Sequence, residues 1–201
     1  MASSYDEIYT LLPLMVLIAG SALTYFTGKV ASRKGLATAS GSVAAAVLGV
    51  ALVQLVRMHL AGDYPDFTFY GTVVMAPSGI ALLISIVATS MGLLAAVYSI
   101  GYMEGRQDPH LFFALLVLMV AGMVGIGFSE DLFNMYVAFE LMSIASFALV
   151  AFDRSRPGPV EAGVKYIIMS GAGSALALVG ISLVYATAGT TGGMRLRRRR
   201  R

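Results

Sequence analysis

The chain has 201 residues, of which 58% are hydrophobic and only 12% charged, with a formal net charge of +3. Soluble domains carry about 25% charged residues, and the polar surface here is too small to cover a water-facing globule, so the sequence reads as a membrane protein. Cysteine is absent, which excludes disulfide frameworks, thiolate metal sites and cysteine nucleophiles; six of the fourteen basic residues lie in the last seven positions, leaving an acidic body of eight basic against eleven acidic residues.

A bilayer core of about 30 Å takes roughly 20 apolar residues in helix. The first run of that kind is Ile8 to Gly28, whose leader carries Asp6 and Glu7 rather than positive charge, the wrong flank for a signal peptide. Lys29 to Gly35 links it to a second run, Leu36 to Val56. The longest connection follows, Arg57 to Ser78, in which Phe67 to Val74 alternates aromatic and β-branched residues and predicts a short extended segment or hairpin at the interface. Gly79 to Met103 is the third run and Leu111 to Ser129 the fourth, joined by Glu104 to His110. Leu132 to Phe152, the fifth, is interrupted by one charge, Glu140. Asp153 to Val160 leads to the sixth span, entered from about Ala162 and charge-free from Tyr166 to Ala188. Helix is the open-chain way to satisfy the backbone in lipid, so the expected fold is all-α: a polytopic bundle of six transmembrane helices over residues 1–190. Residues 191–201 form an Arg-rich tail, expected to be disordered or non-native.

Lysine and arginine bias orients the bundle. The connections between spans one and two, three and four, and five and six carry Lys29, Arg33, Lys34, Arg106, Arg154 and Arg156, whereas the other side carries Arg57 alone before the tail. The N-terminus is therefore expected outside. The six tail arginines then fall on the same outer side, against the rule that oriented the rest. A non-native end, an altered reading frame or a partner would account for them, and an anionic-lipid patch would sit on the wrong face.

Glu140 carries the most chemical information. It lies nine residues into the fifth run, ~13 Å from its start, where a carboxylate costs at least about 2.5 kcal/mol to insert. An acid at that depth suits proton loading, because it is stable when protonated and responds to an approaching cation or water. Tyr136 at i−4 and Ser143 at i+3 share its helical face. The competing reading is a protonated glutamate that only joins helices by hydrogen bonding. Lys165 either snorkels to the headgroups and pairs with Glu161 at i−4, or carries protons with water between it and Glu140, ~12 Å away. His110, at the start of span four, is a further candidate in a proton path, and His59 reads as interfacial. Gly122 and Gly125, together with Ser170, Gly171, Gly173 and Ser174, read as small residues for close helix packing. Nothing in the sequence forms a phosphate loop, a nucleophile triad or a metal cluster, so no cofactor, metal or catalytic centre is expected on this chain.

At spans five and six the pattern is recognisable. Asp131-Leu-Phe-Asn134-Met-Tyr136-Val-Ala-Phe139-Glu140-Leu141-Met142-Ser143 resembles the fifth helix of the proton-conducting antiporter-like membrane subunits, and Ala162-Gly163-Val164-Lys165-Tyr166-Ile167-Ile168-Met169-Ser170 resembles their sixth. Tyr98 to Met103 and Gly122 to Gly125 also fit, and the likeness runs from about residue 8 to Thr190. That family includes subunits of respiratory complex I, Mrp-type sodium/proton antiporters and energy-converting hydrogenases. The resemblance implies a half-channel in which Glu140 exchanges charge with lysines, Lys165 matching one on helix six. Members have two inverted repeats and a broken seventh helix with its own lysine; the broken helix and the second repeat lie outside these six spans. The aspartate usual before span three is replaced by Ala76-Pro77-Ser78.

The expected function is therefore that of a subunit, or a split or truncated part, of a complex translocating protons or sodium in the cytoplasmic membrane. Its expected partners are other membrane subunits, including one supplying the missing helices, with lipid around them and no nucleic acid. A non-conducting structural or assembly subunit is the alternative, and an inactive remnant a third. Any redox step would belong to other subunits of the complex.

Overall fold

A computed structural model describes residues 4–30, 35–62, 66–69 and 72–192. Among these residues six helices occur in the order α1 (Ser4–Val30), α2 (Leu36–Ala61), α3 (Gly79–Tyr102), α4 (Pro109–Phe128), α5 (Leu132–Val150) and α6 (Pro157–Ala188). Each is long and apolar enough to cross a membrane. Between α2 and α3, β1 (Phe67–Phe69) pairs antiparallel with β2 (Thr72–Met75), the hairpin expected from the alternating segment. Its register sets Phe67 against Met75 and Phe69 against Thr72, with an irregularity after Phe67. The arginine tail from residue 193 lies outside the described residues, as do Arg33 and Lys34.

Where helix ends differ from the expected spans, the reason is the same. A charge-free run measures compatibility with lipid, whereas a charged residue costs a helix at most about 0.7 kcal/mol, so the helix continues past it. So α1 begins at Ser4 and takes in Asp6 and Glu7, and α2 runs on through Arg57 and His59, which the charge-free runs alone assign to the connection. The largest difference is at α6, whose helix starts at Pro157, ahead of the span expected from about Ala162, making Lys165 its ninth residue. Proline suits the first helical position, where its missing N–H costs nothing. At the other end Gly189 adopts φ 66°, the left-handed conformation open to glycine, and its N–H donates to the Tyr185 carbonyl at 2.7 Å to close the helix.

The core lies where α1 to α4 meet, around Leu17, Leu48, Leu55, Leu82, Phe113, Val120, Val124 and Phe128. In lipid, apolar surface gains little by leaving one hydrocarbon for another, so close packing has to hold helices together. A glycine stands at the contact of every consecutive pair: Gly20 against Val47, Gly41 against Ile100, Gly92 against Val120, Gly122 against Met142, and Gly163 against Ala151. The packing expected of Gly122 and Gly125 is observed, both meeting α5. α4 is the most enclosed helix, whereas α6 packs chiefly on α5 and leaves most of its length open.

The two ends of the bundle differ. At the hairpin end, Met75 forms a β-bridge with Ser129, and the Ala76 N–H donates to the Phe128 carbonyl at 3.0 Å. Asp131 bridges Gly192 there, with the Leu132 N–H on the Thr191 carbonyl at 3.2 Å, so the α4–α5 turn is tied both to the hairpin and to the residues that follow α6. At the opposite end, a cleft of about 540 Å³ separates the α3–α4 and α5–α6 connections, lined by Arg106, Asp108, Asp153 and Arg154 among others. Asp153 is held below the ordinary carboxylate range first by the Ser155 hydroxyl it accepts from, and also by Arg156 at 3.4 Å.

Candidate ion-transfer site

α5 begins where Asp131 accepts from the Phe133 N–H at 3.1 Å, an N-cap that satisfies one of the free donors of the first turn. From there the helical period decides which way each side chain faces. Ala138 and Met142 meet α4 at Gly125 and Gly122. Each residue turns the helix by about 100°, so Glu140, two positions from both, points away from α4. It faces α6, where the Ser174 hydroxyl donates to Glu140 Oε1. Tyr136 Oη lies 3.1 Å from Ser174 Oγ, so three side-chain oxygens run in sequence from α5 to α6 and back. Ser174 is 7% exposed, and Tyr136 and Glu140 are half-buried. The same antiparallel register sets the Phe147 ring edge-on to Tyr166 and Gly163 against Ala151.

Of the residues expected to carry ion transfer, Tyr136 and Glu140 are thus brought together, through a serine whose sequence context indicates only packing. Ser143 is buried one turn further along α5. Lys165 is not at this cluster. It sits nine positions before Ser174, ~14 Å along α6, and its Nζ donates to Glu161 Oε1 at 2.6 Å with both side chains about 70% exposed (72% and 67%). An exposed pair at i,i+4 contributes roughly 0.3–0.5 kcal/mol. Lys165→Met should accordingly change the unfolding free energy of the detergent-solubilised chain by no more than about 0.5 kcal/mol. A loss of several times that in the assembled state would mean that a neighbouring subunit covers the pair.

His110 is the second residue of α4, at the end opposite the hairpin. Its ring lies against Gly28 and 5.7 Å from the Tyr25 ring, and its Nδ1 is buried with no hydrogen-bond partner. Because α4 and α5 cross at Gly122 and Met142, His110 is about 20 Å in height from Glu140 and shares no contact with it. His59 Nδ1, Gln54 Oε1 and Thr89 Oγ1 are likewise buried without partners; Gln54 and Thr89 carry no signal in the sequence because single uncharged polar residues do not interrupt an apolar run. Among the described residues, no group of three histidine, aspartate or glutamate side chains is placed to hold a metal ion.

The cluster places a carboxyl group, which can bind a proton or a cation, against two hydroxyls within a helix long and apolar enough to cross a membrane. Comparisons with known proteins bear on that. Residues 129–198, which hold the cluster, match the family described as NADH:quinone oxidoreductase/Mrp antiporter, transmembrane part. Residues 72–113 match the N-terminal part of chain 5 of NADH-ubiquinone oxidoreductase, complex I. The chain is 31% identical over 199 residues to NADH-quinone oxidoreductase subunit N of Desulforudis audaxviator, covering 94% of this chain and 38% of that protein. It is 28% identical over 189 residues to an Na(+)/H(+) antiporter subunit of Bacillus subtilis, covering 90% and 37%. A chain of respiratory complex I from Thermus thermophilus shares the fold with a TM-score of 0.72 at 23% identity, over 90% of this chain and 38% of that one. The chain thus spans under two fifths of the length of these relatives.

Proposed function

The chain belongs to the NADH:quinone oxidoreductase/Mrp antiporter family of membrane subunits, and from that premise we propose that it forms part of a complex that moves protons or sodium across the cytoplasmic membrane, with Glu140 as its proton-loading site. One observation carries the reading. In an apolar span, the single carboxylate of α5 is turned away from the packed core and towards α6, where a hydroxyl meets it. A carboxyl group so placed is costly to keep, and a merely adhesive contact could be made by serine or threonine at lower cost. In this mechanism Glu140 takes up a proton, and releases it when a positive charge approaches or a coupled subunit changes state. Tyr136 and Ser143 line its approach, and Lys165 and His110 serve the loop side, at the end opposite the hairpin. The N-terminus lies outside on this reading.

A second reading has its own support. Lys165 is engaged with Glu161 and not with Glu140, which suits a non-conducting subunit whose glutamate only joins α5 to α6. Mild-detergent extraction from native membranes, with native sizing and mass spectrometry of what co-migrates, separates membership of a complex from isolation. Co-migration with oxidoreductase, hydrogenase or antiporter subunits is expected. Migration of the protein alone, without such subunits, would remove the transport assignment.

A further inference from the structure

A serine in a membrane helix ordinarily satisfies its hydroxyl on its own helix, donating to the carbonyl three or four residues back. Ser40, Ser85, Ser146 and Ser182 all do so here, on the carbonyls of Leu36, Ala81, Met142 and Leu178. Ser174 does not. Its hydroxyl crosses to α5, where it donates to Glu140 and meets Tyr136 Oη. With its single proton on Glu140, Ser174 can only accept from Tyr136, so the chain is polarised Tyr136 to Ser174 to Glu140. Hydrogen bonds in series reinforce one another in a low-dielectric site. Tyr136 precedes Glu140 by one turn, ~6 Å nearer the hairpin end.

We propose that Tyr136 and Ser174 form a two-hydroxyl relay that loads Glu140 with protons from the hairpin side of the membrane. The inference rests on the loading role given to Glu140 above and adds the route and its direction. When a proton reaches Tyr136 Oη from water, the tyrosine O–H bond breaks as its hydrogen passes to Ser174 Oγ. The serine O–H bond breaks in turn as its hydrogen passes to Glu140 Oε1. One proton enters, one carboxyl O–H forms, and each hydroxyl ends with one hydrogen. The chain is left polarised the other way, with Glu140 donating to Ser174 and Ser174 to Tyr136. A second proton cannot follow until Glu140 discharges and the hydroxyls turn back, so the relay delivers one proton per cycle.

The test uses the complex extracted from native membranes and reconstituted in liposomes, with proton flux driven by an imposed membrane potential and read by a pH-sensitive dye. Tyr136→Phe keeps the ring and Ser174→Ala keeps the helix, yet each removes one oxygen from the chain. Both are expected to slow flux about tenfold or more, and Ser174→Thr, which restores a hydroxyl, to recover most of it. A packing role predicts the reverse order for position 174, since threonine disturbs a tight helix contact more than alanine does. Should Ser174→Ala fail to assemble, Tyr136→Phe with Ser174→Thr still reads the chain. Slow flux in Glu140→Gln with wild-type flux in Tyr136→Phe and Ser174→Ala would overturn the relay and leave the loading site standing. Wild-type flux in Glu140→Gln would remove both.

Discussion

Glu140→Gln is expected to lower ion translocation by the intact complex about 100-fold or more, the scale of loss when a positioned proton-transfer group is removed, while the complex still assembles. Glutamine matches glutamate in volume, and its amide oxygen accepts from the Ser174 hydroxyl as the carboxylate does. The α5–α6 contact, the Tyr136–Ser174 hydrogen bond at 3.1 Å and the packing of Ala138 and Met142 on α4 are all kept. What is lost is the ability to change charge. A residue that only joins helices is replaced by glutamine at little cost, so the two readings of Glu140 part here by two orders of magnitude in flux. Equal flux in wild type and variant, at equal complex abundance, would end the loading assignment.

How far the sequence alone reaches depends on the kind of information asked of it. The six spans are legible because lipid imposes a single length and polarity on each, and the hairpin is legible because Phe67 to Val74 gathers aromatic and β-branched residues around Gly71. The helix starts at Ser4 and Pro157 are less so, because Asp6, Glu7, Glu161 and Lys165 break the apolar run without breaking the helix. At the site, the depth of Glu140 and the face it shares with Tyr136 follow from one helix and its period. Ser174 is a different matter. Its role is set by the antiparallel register of α5 on α6, with Glu140 opposite Ser174 as Ala151 is opposite Gly163. That register depends on which of several small residues in Gly171-Ala-Gly173-Ser174-Ala175 lies at the crossing. Small residues are interchangeable in sequence patterns and not in space, so a hydroxyl among them reads as packing until its partner is known. Spacing did place Lys165: the i,i+4 relation to Glu161 is the contact observed, and nine residues of helix keep it from Glu140.

The second large effect concerns the distance between α4 and α5, which sets the direction of Glu140. Gly122 is buried, and a Cβ there would lie 2.7 Å from the Met142 backbone nitrogen and 2.8 Å from its Cα. These are backbone atoms in the middle of a helix, so no side-chain rotation relieves the overlap; α5 itself has to move. Gly122→Ala gains up to about 1 kcal/mol in helical propensity but overpacks a tight contact, at a cost of about 1–3 kcal/mol, and the larger Gly122→Leu pushes further in the same direction. The expected results are a lowered thermal midpoint of the detergent-solubilised chain for Gly122→Ala and a larger fall, or failure to accumulate, for Gly122→Leu. Gly49 supplies the control. Nothing lies within 4 Å of a Cβ there, so Gly49→Ala should leave the midpoint unchanged or raise it. The consequence for function follows from the helical period. Met142 and Ala138 hold α5 against α4, and Glu140, on the opposite face, is carried outward with them when the helix is displaced. A shift of α5 that leaves α6 in place breaks the match between Glu140 and Ser174, so Gly122→Ala should lose proton flux in excess of what its reduced abundance explains. A Gly122→Ala chain as stable as wild type would mean that α4 and α5 pack further apart than this contact, and that the aim of Glu140 is set by α6 alone.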